Sequence, residues 1–219
     1  TQVFGQAAQR GGEFLAVEQG TYRRAAHLLP FRLPGGEAAM REPRRSALGA
    51  LHGAYGDAVF QMTDLAPVAA FSGTERPVLA AMLAGRLNAP MTSSAGRLFD
   101  AVAALLGFHQ KASFEGQAAM AVEFSADAAT SVHPLPPLEL AADSGRLVLD
   151  WRPMLVGLVD ALRADADRGS LAAAFHDGLA AAIAAVATRA GLERVLLTGG
   201  CFQNARLTER AIAALRAAG

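Results

Sequence analysis

Val195-Leu196-Leu197-Thr198-Gly199-Gly200-Cys201-Phe202-Gln203-Asn204, near the end of a 219-residue chain, packs three structural signals into ten residues. Val195 to Leu197 is an apolar run of strand length and predicts a short buried strand. Gly199 and Gly200 break it. Leu207, Ala211, Ile212 and Leu215 then recur at helical spacing, so a helix begins near Asn204 or Ala205. Strand, glycine turn and helix N-terminus together offer backbone N–H groups and a positive dipole end to an anion. Glycines also let a flat ligand approach the main chain closely. The same residues equally suit a plain strand-to-helix turn with Asn204 as its N-cap. Taken alone, they leave both readings open.

Working back from this turn, Leu171, Phe175, Leu179, Ile183 and Val186 predict the longest helix, capped by Ser170 and ended by Gly191. Trp151 to Leu162 reads as a helix with Met154, Leu155, Leu158 and Leu162 inward, after a short strand over Arg146 to Leu149. Residues 126–146 carry several prolines and little pattern. A helix over Gln117 to about Phe124 is expected, and another over Ala95 to Leu106, closed by Gly107. On the latter, Asp100 stands about 200° round from Leu98, off the apolar face. Pro77 to Leu87 is a cleaner helix, and residues 52–75 are short helices and loops. A helix from about Glu37 either kinks at Pro43 or starts afresh there. At the beginning, Gly11-Gly12 precedes Glu13 to Val17, which pairs with Tyr22 to Leu29 as a hairpin. The chain is therefore a helix-rich α/β protein in three stretches. These are a hairpin segment (1–36), a mostly helical body (37–190) and the strand, glycine turn and helix (191–219).

Composition excludes several function classes. The chain is 52% hydrophobic and 18% charged, enough for a substantial core. Its formal net charge is zero, so no global field draws in nucleic acid or a membrane surface. The apolar stretch from Leu171 to Ala190 carries His176, Asp177 and Arg189 and suits a buried helix better than a membrane span. One cysteine, Cys201, allows no intrachain disulfide and fits a reducing, cytoplasmic setting. The five histidines, His27, His52, His109, His133 and His176, show no HxxxH or HExxH spacing, so no metal site is expected within the chain. His176 reads as a partly buried structural histidine, and Cys201 as a small side chain beneath the turn. No GxSxG elbow, Walker loop or GxGxxG is present. Asp100 and Glu115-Gly116 remain as candidates: a carboxylate for a ribose hydroxyl and a glycine admitting a base, or else a solvated charge and a cap glycine.

Six segments taken together go further. Gly11-Gly12-Glu13-Phe14-Leu15, Arg32-Leu33-Pro34-Gly35-Gly36 and Arg41-Glu42-Pro43-Arg44 resemble the HypF family of hydrogenase-maturation carbamoyltransferases. So do Thr92-Ser93-Ser94-Ala95-Gly96-Arg97-Leu98-Phe99-Asp100, Phe114-Glu115-Gly116-Gln117-Ala118-Ala119 and Gly199-Gly200-Cys201-Phe202-Gln203-Asn204. Their order and spacing match from about residue 11 onward. The resemblance implies part of a TsaD-like carbamoyltransferase domain with the two-lobed, actin-like ATPase (ASKHA) fold. It implies binding of ATP or carbamoyl-adenylate, and transfer of the carbamoyl group to the C-terminal cysteine of a HypE-like acceptor. It also implies that Asp100, Gly116, Gly199, Gly200 and Asn204 surround the nucleoside; no catalytic residue is named. The family's histidine pair would lie before Thr1 and its last metal-ligand aspartate after Gly219, so the parent domain's metal is expected to lack ligands here. Thr1 to Gly5 departs from a DGTG-type loop, Arg10 stands for a tryptophan and Cys201 for a valine-like residue. Two alternatives follow: a non-catalytic nucleotide-binding or partner-docking module, and an O-carbamoyltransferase of the same fold, which Pro34-Gly35-Gly36 and Arg41-Glu42-Pro43-Arg44 disfavour.

Overall fold

A computed structural model of the chain describes residues 11–18, 20–143 and 146–219. The expected glycine-loop position at Thr1 to Gly5, and Arg10, lie outside them. Strand β1 (Glu13–Glu18) runs antiparallel to β2 (Thr21–Leu28), the predicted hairpin. β2 then pairs in parallel with β6 (Arg146–Asp150), which pairs antiparallel with β5 (Glu139–Asp143). The resulting mixed sheet has the order β1-β2-β6-β5. β3 (Phe31–Arg32) and β4 (Met91–Thr92) form a separate antiparallel pair. β5 and β4 fall where loops are expected. Both are too short or too irregular to show a period of two, and only their partners define them.

The helices are α1 (Pro43–Tyr55), α2 (Ala66–Ala69), α3 (Glu75–Gly85), α4 (Ala95–Leu105), α5 (Gln117–Asp127), α6 (Arg152–Arg163), α7 (Arg168–Ala190) and α8 (Ala205–Ala217). Pro43 resolves as a fresh start at the first turn of α1, where its missing N–H costs nothing. The cap of α7 is Asp167, not Ser170: Asp167 has extended backbone and its Oδ1 accepts from Ser170 N at 2.7 Å. Ser170 sits a turn further in and donates its hydroxyl to Asp167 O at 2.7 Å. An aspartate three residues before a serine is the stronger cap because its acceptor is charged.

α4 lies at the centre, packed on α1 and α5; α5 packs on α7, and α7 on α8. Every residue of α4 from Arg97 to Leu105 is buried. Phe99 meets the ring of Phe175 edge-on at 4.9 Å, and Trp151 meets Phe31 at 5.4 Å while donating Nε1–H to Leu29 O at 2.6 Å. One core runs from Ala26 to Leu207, so the three sequence stretches share it. α7 is long and apolar enough to cross a membrane, and most of that length is buried among the other helices.

The family-like motifs of the first half are chiefly structural. Gly12 has a left-handed φ of 71°, and a Cβ there would come within 2.8 Å of Ser93 O, so β1 starts directly on the Ser93 loop. Ser93 Oγ donates to Glu13 Oε1 at 3.1 Å, joining two of the six segments. Arg44 is 5% exposed. Its guanidinium spans Glu42, Glu75 and Ala70 O and lies 4.3 Å from the centre of the Phe71 ring.

The predicted strand Val195 to Leu197 does not form. The segment is irregular, with Val195 46% and Leu196 86% exposed. An apolar run becomes a strand only when a neighbouring strand takes its N–H and C=O groups. Among the described residues none is in register with it.

Candidate functional site

α4, which carries Asp100, touches both elements that hold the other predicted site residues. It packs against α5, which Gly116 caps, and against the Gly200–Gln203 3-10 turn. Gly116 has φ 83° and open space where a Cβ would point. Gly199 adopts φ 98°, ψ 166°, a region open essentially to glycine alone, and both Gly199 and Gly200 are exposed with open space beside them. Asp100 is not a solvated charge: it is 5% exposed. Lying off the apolar stripe does not place a residue in water when its helix is buried all round.

Asp100 Oδ2 meets Arg97 Nη1 at 2.9 Å as an ion pair one turn apart. Beyond this pair, neither atom has a partner among the described residues. Burial pushes the Asp100 carboxyl up from 3.8 to about 6; Arg97 works against this and the Glu115 charge adds to it. The Glu115 effect puts the start of α5 within electrostatic reach of Asp100. The Arg97–Asp100 spacing of three is a legible helical pair.

Asn204 does cap α8: its Oδ1 accepts from Leu207 N at 2.7 Å. Its Nδ2 lies 3.0 Å from His176 Nε2, and His176 Nδ1 lies 2.8 Å from Ala172 O. A carbonyl only accepts, so Nδ1 carries the proton and Nε2 accepts from the Asn204 amide. Among the described residues, the second Nδ2–H of Asn204 has no acceptor. His176 is fully buried, and burial holds its pKa below the ordinary value.

The helix N-terminus expected to attract an anion is already occupied. Glu123 Oε1, from α5, accepts from Ala205 N at 2.6 Å and from Arg206 N at 3.3 Å. The chain's own carboxylate neutralises the dipole end of α8. No local pattern marks Glu123 for this task, since it lies 82 residues from Ala205. Cys201 is half-buried, with its thiol pushed up by burial, and packs against the core.

A groove of about 510 Å³ lies at the far end of α8 between Ala187, Val195, Ile212 and Leu215. It is mainly apolar and holds none of the converging groups, so the candidate site is the α4 junction. The described residues do not fit a metal: among them no three His, Cys, Asp or Glu side chains cluster, and His176 has spent both ring nitrogens.

Residues 7–219 match the family described as the carbamoyltransferase Kae1-like domain, second subdomain. The chain belongs to the HypF carbamoyltransferase family. Carbamoyltransferase HypF of Synechocystis is 37% identical over 221 residues, covering 95% of this chain and 28% of that protein. HypF of Rhodobacter capsulatus is 41% identical, over 90% of this chain and 25% of its own length. A HypF homolog of Cupriavidus necator is 40% identical, and the match spans 54% of it. Full-length HypF in a phosphate- and nucleotide-bound crystal form superposes with a TM-score of 0.84 at 29% identity, over 96% of this chain and 32% of that one. T. kodakarensis HypF gives 0.79 at 25% identity, over 96% and 28%. The chain thus spans between a quarter and a third of most of these HypF proteins, and its helix-rich α/β architecture is that of the HypF Kae1-like domain.

Proposed function

We propose that this chain is the nucleoside-holding part of a HypF carbamoyltransferase, with Asp100, Gly116, Gly199 and Gly200 facing carbamoyl-adenylate or ATP. The observation that carries this is Asp100: a buried carboxylate whose one described partner is Arg97, on the helix that touches both α5, capped by Gly116, and the open glycine turn. A carboxylate accepts several hydrogen bonds, and a ribose hydroxyl would use the acceptor capacity that the single Arg97 pair leaves open. Closure of the α8 N-terminus by Glu123 favours a flat, neutral nucleoside over a phosphate at this turn. Asn204 serves as anchor of the turn, with one amide hydrogen left for the ligand. A related full-length HypF, of which this chain matches 32%, has a phosphate- and nucleotide-bound crystal form, and a nucleotide ligand for the family is in keeping with this reading.

In the reaction so assigned, the thiolate of a HypE-like C-terminal cysteine attacks the carbamoyl carbon. A C–S bond forms, the C–O bond to the adenylate phosphate breaks, and AMP leaves with the electron pair. This chain's contribution is to bind and orient the leaving nucleotide. Calorimetry of the full-length protein with AMP and with ATP tests the reading. Binding should weaken about 10-fold or more in Asp100→Ala, the loss of a charged hydrogen bond. Absence of heat with either nucleotide in the unsubstituted protein sinks it. The non-catalytic module is the second reading, favoured by the divergent residues at Thr1 to Gly5. It predicts nucleotide binding without carbamoyl transfer.

A further inference from the structure

We propose that His176 is a positioning residue of the nucleotide site, fixing the Asn204 carboxamide and through it the Gly199–Gln203 turn; the ligand half of this rests on the reading above. Three contacts carry it. His176 Nε2 accepts from Asn204 Nδ2 at 3.0 Å, its Nδ1–H is held by Ala172 O at 2.8 Å, and its ring lies edge-on to Phe99 at 5.3 Å. Phe99 adjoins Asp100 in sequence on α4, so one fully buried ring touches both the helix bearing Asp100 and the residue that ends the glycine turn.

The bond does more than fill space. An asparagine amide can flip, and flipping would turn Nδ2 toward Leu207 N, two donors face to face. A neutral imidazole with a bare Nε2 permits only one orientation, with Oδ1 on Leu207 N. That orientation sets where α8 begins and therefore where the Gly200–Gln203 turn ends. The charged groups around the ring are Glu123 and Asp127 from α5 and Arg206 from α8. Arg206 is paired with Asp127 at 3.1 Å, and Glu123 is held by the Ala205 and Arg206 amides. No carboxylate is thereby freed to draw a second proton onto the ring.

The test uses the full-length protein with AMP as the probe, and variants His176→Phe, His176→Gln and Asn204→Ser. Phenylalanine keeps the ring and loses the acceptor; glutamine places an amide oxygen near the Nε2 position; serine keeps a capping oxygen and loses the amide. His176→Phe and Asn204→Ser should each weaken AMP about 10-fold and speed amide exchange at Gly200 to Gln203 by about as much, the worth of one buried hydrogen bond. His176→Gln should restore both. Unchanged AMP affinity in both His176→Phe and Asn204→Ser overturns the role at the ligand, and a glutamine variant as poor as phenylalanine overturns the acceptor argument. If the unsubstituted protein binds no AMP, the nucleotide reading fails. The exchange rates then decide alone: turn amides loosened by phenylalanine and restored by glutamine uphold the positioning role, and unchanged rates overturn it.

Discussion

Glu123 Oε1 stands 2.6 Å from Ala205 N, a carboxylate on α5 closing the first turn of a helix 82 residues away. It ties α8 to α5 and removes the partial charge that a ligand anion would otherwise find there. Glu123→Ala should therefore cost about 1 kcal/mol of stability, the usual worth of a cap. Urea denaturation of this variant, with midpoint and slope measured together, checks the value. The same substitution should create weak inorganic phosphate binding at α8, detectable by calorimetry and absent from the unsubstituted protein.

Acid stability should carry two opposite signatures. Asp100, raised from 3.8 to about 6, holds its proton more tightly folded than unfolded. Its stabilising contribution is complete below 3.8 and is lost as pH rises through about 6, a difference of about 3 kcal/mol. His176 runs the other way: its pKa is lowered from 6.5, so its contribution is present above 6.5 and lost as pH falls. Denaturation midpoints between pH 4 and pH 8 separate them. Asp100→Asn should abolish the gain on acidification, and His176→Gln should abolish the loss.

Arg44 should behave as a structural clamp with no part in ligand binding. Arg44→Ala leaves Glu42 and Glu75 without their shared partner and uncovers Phe71. A cost of about 3 kcal/mol is expected, and Arg44→Lys should recover less than half of it, because an ammonium cannot reproduce the planar fork. Thermal melts check the order of the three proteins, while AMP affinity should stay unchanged in the lysine variant.

Glycine substitutions should divide into two kinds. A Cβ at Gly49 would stand 1.8 Å from Arg32 O, a backbone atom that cannot give way, so Gly49→Ala should fail to fold or lose several kcal/mol. Gly116 has open space and only its φ of 83° to defend. Gly116→Ala should cost about 1 kcal/mol of stability and weaken AMP by more than that strain explains. Melting curves beside calorimetry distinguish the two.

Much of this architecture is readable in the chain. Two strand-like runs on either side of Gly20 announce the hairpin, helical spacing places α4 to α8, and Asn204 is legible as the cap of α8 because Leu207 follows three residues later. Six spaced motifs place the chain in its family, and the match over residues 7–219 agrees. These signals are local or serial, and such signals survive in one dimension. What the chain conceals is everything that depends on which surfaces meet. Asp100 has the helical position of a solvated charge and is buried because α4 is covered on all sides. Val195 to Leu197 has the composition of a strand and is none, for want of a partner in register among the described residues. Glu123 and His176 have no motif at all, yet one closes α8 and the other holds Asn204. The glycine turn thus keeps the shape its sequence promises. Its charge balance and its inner support come from α5 and α7, because hydrogen bonds across 82 and 28 residues exist only after the helices have packed.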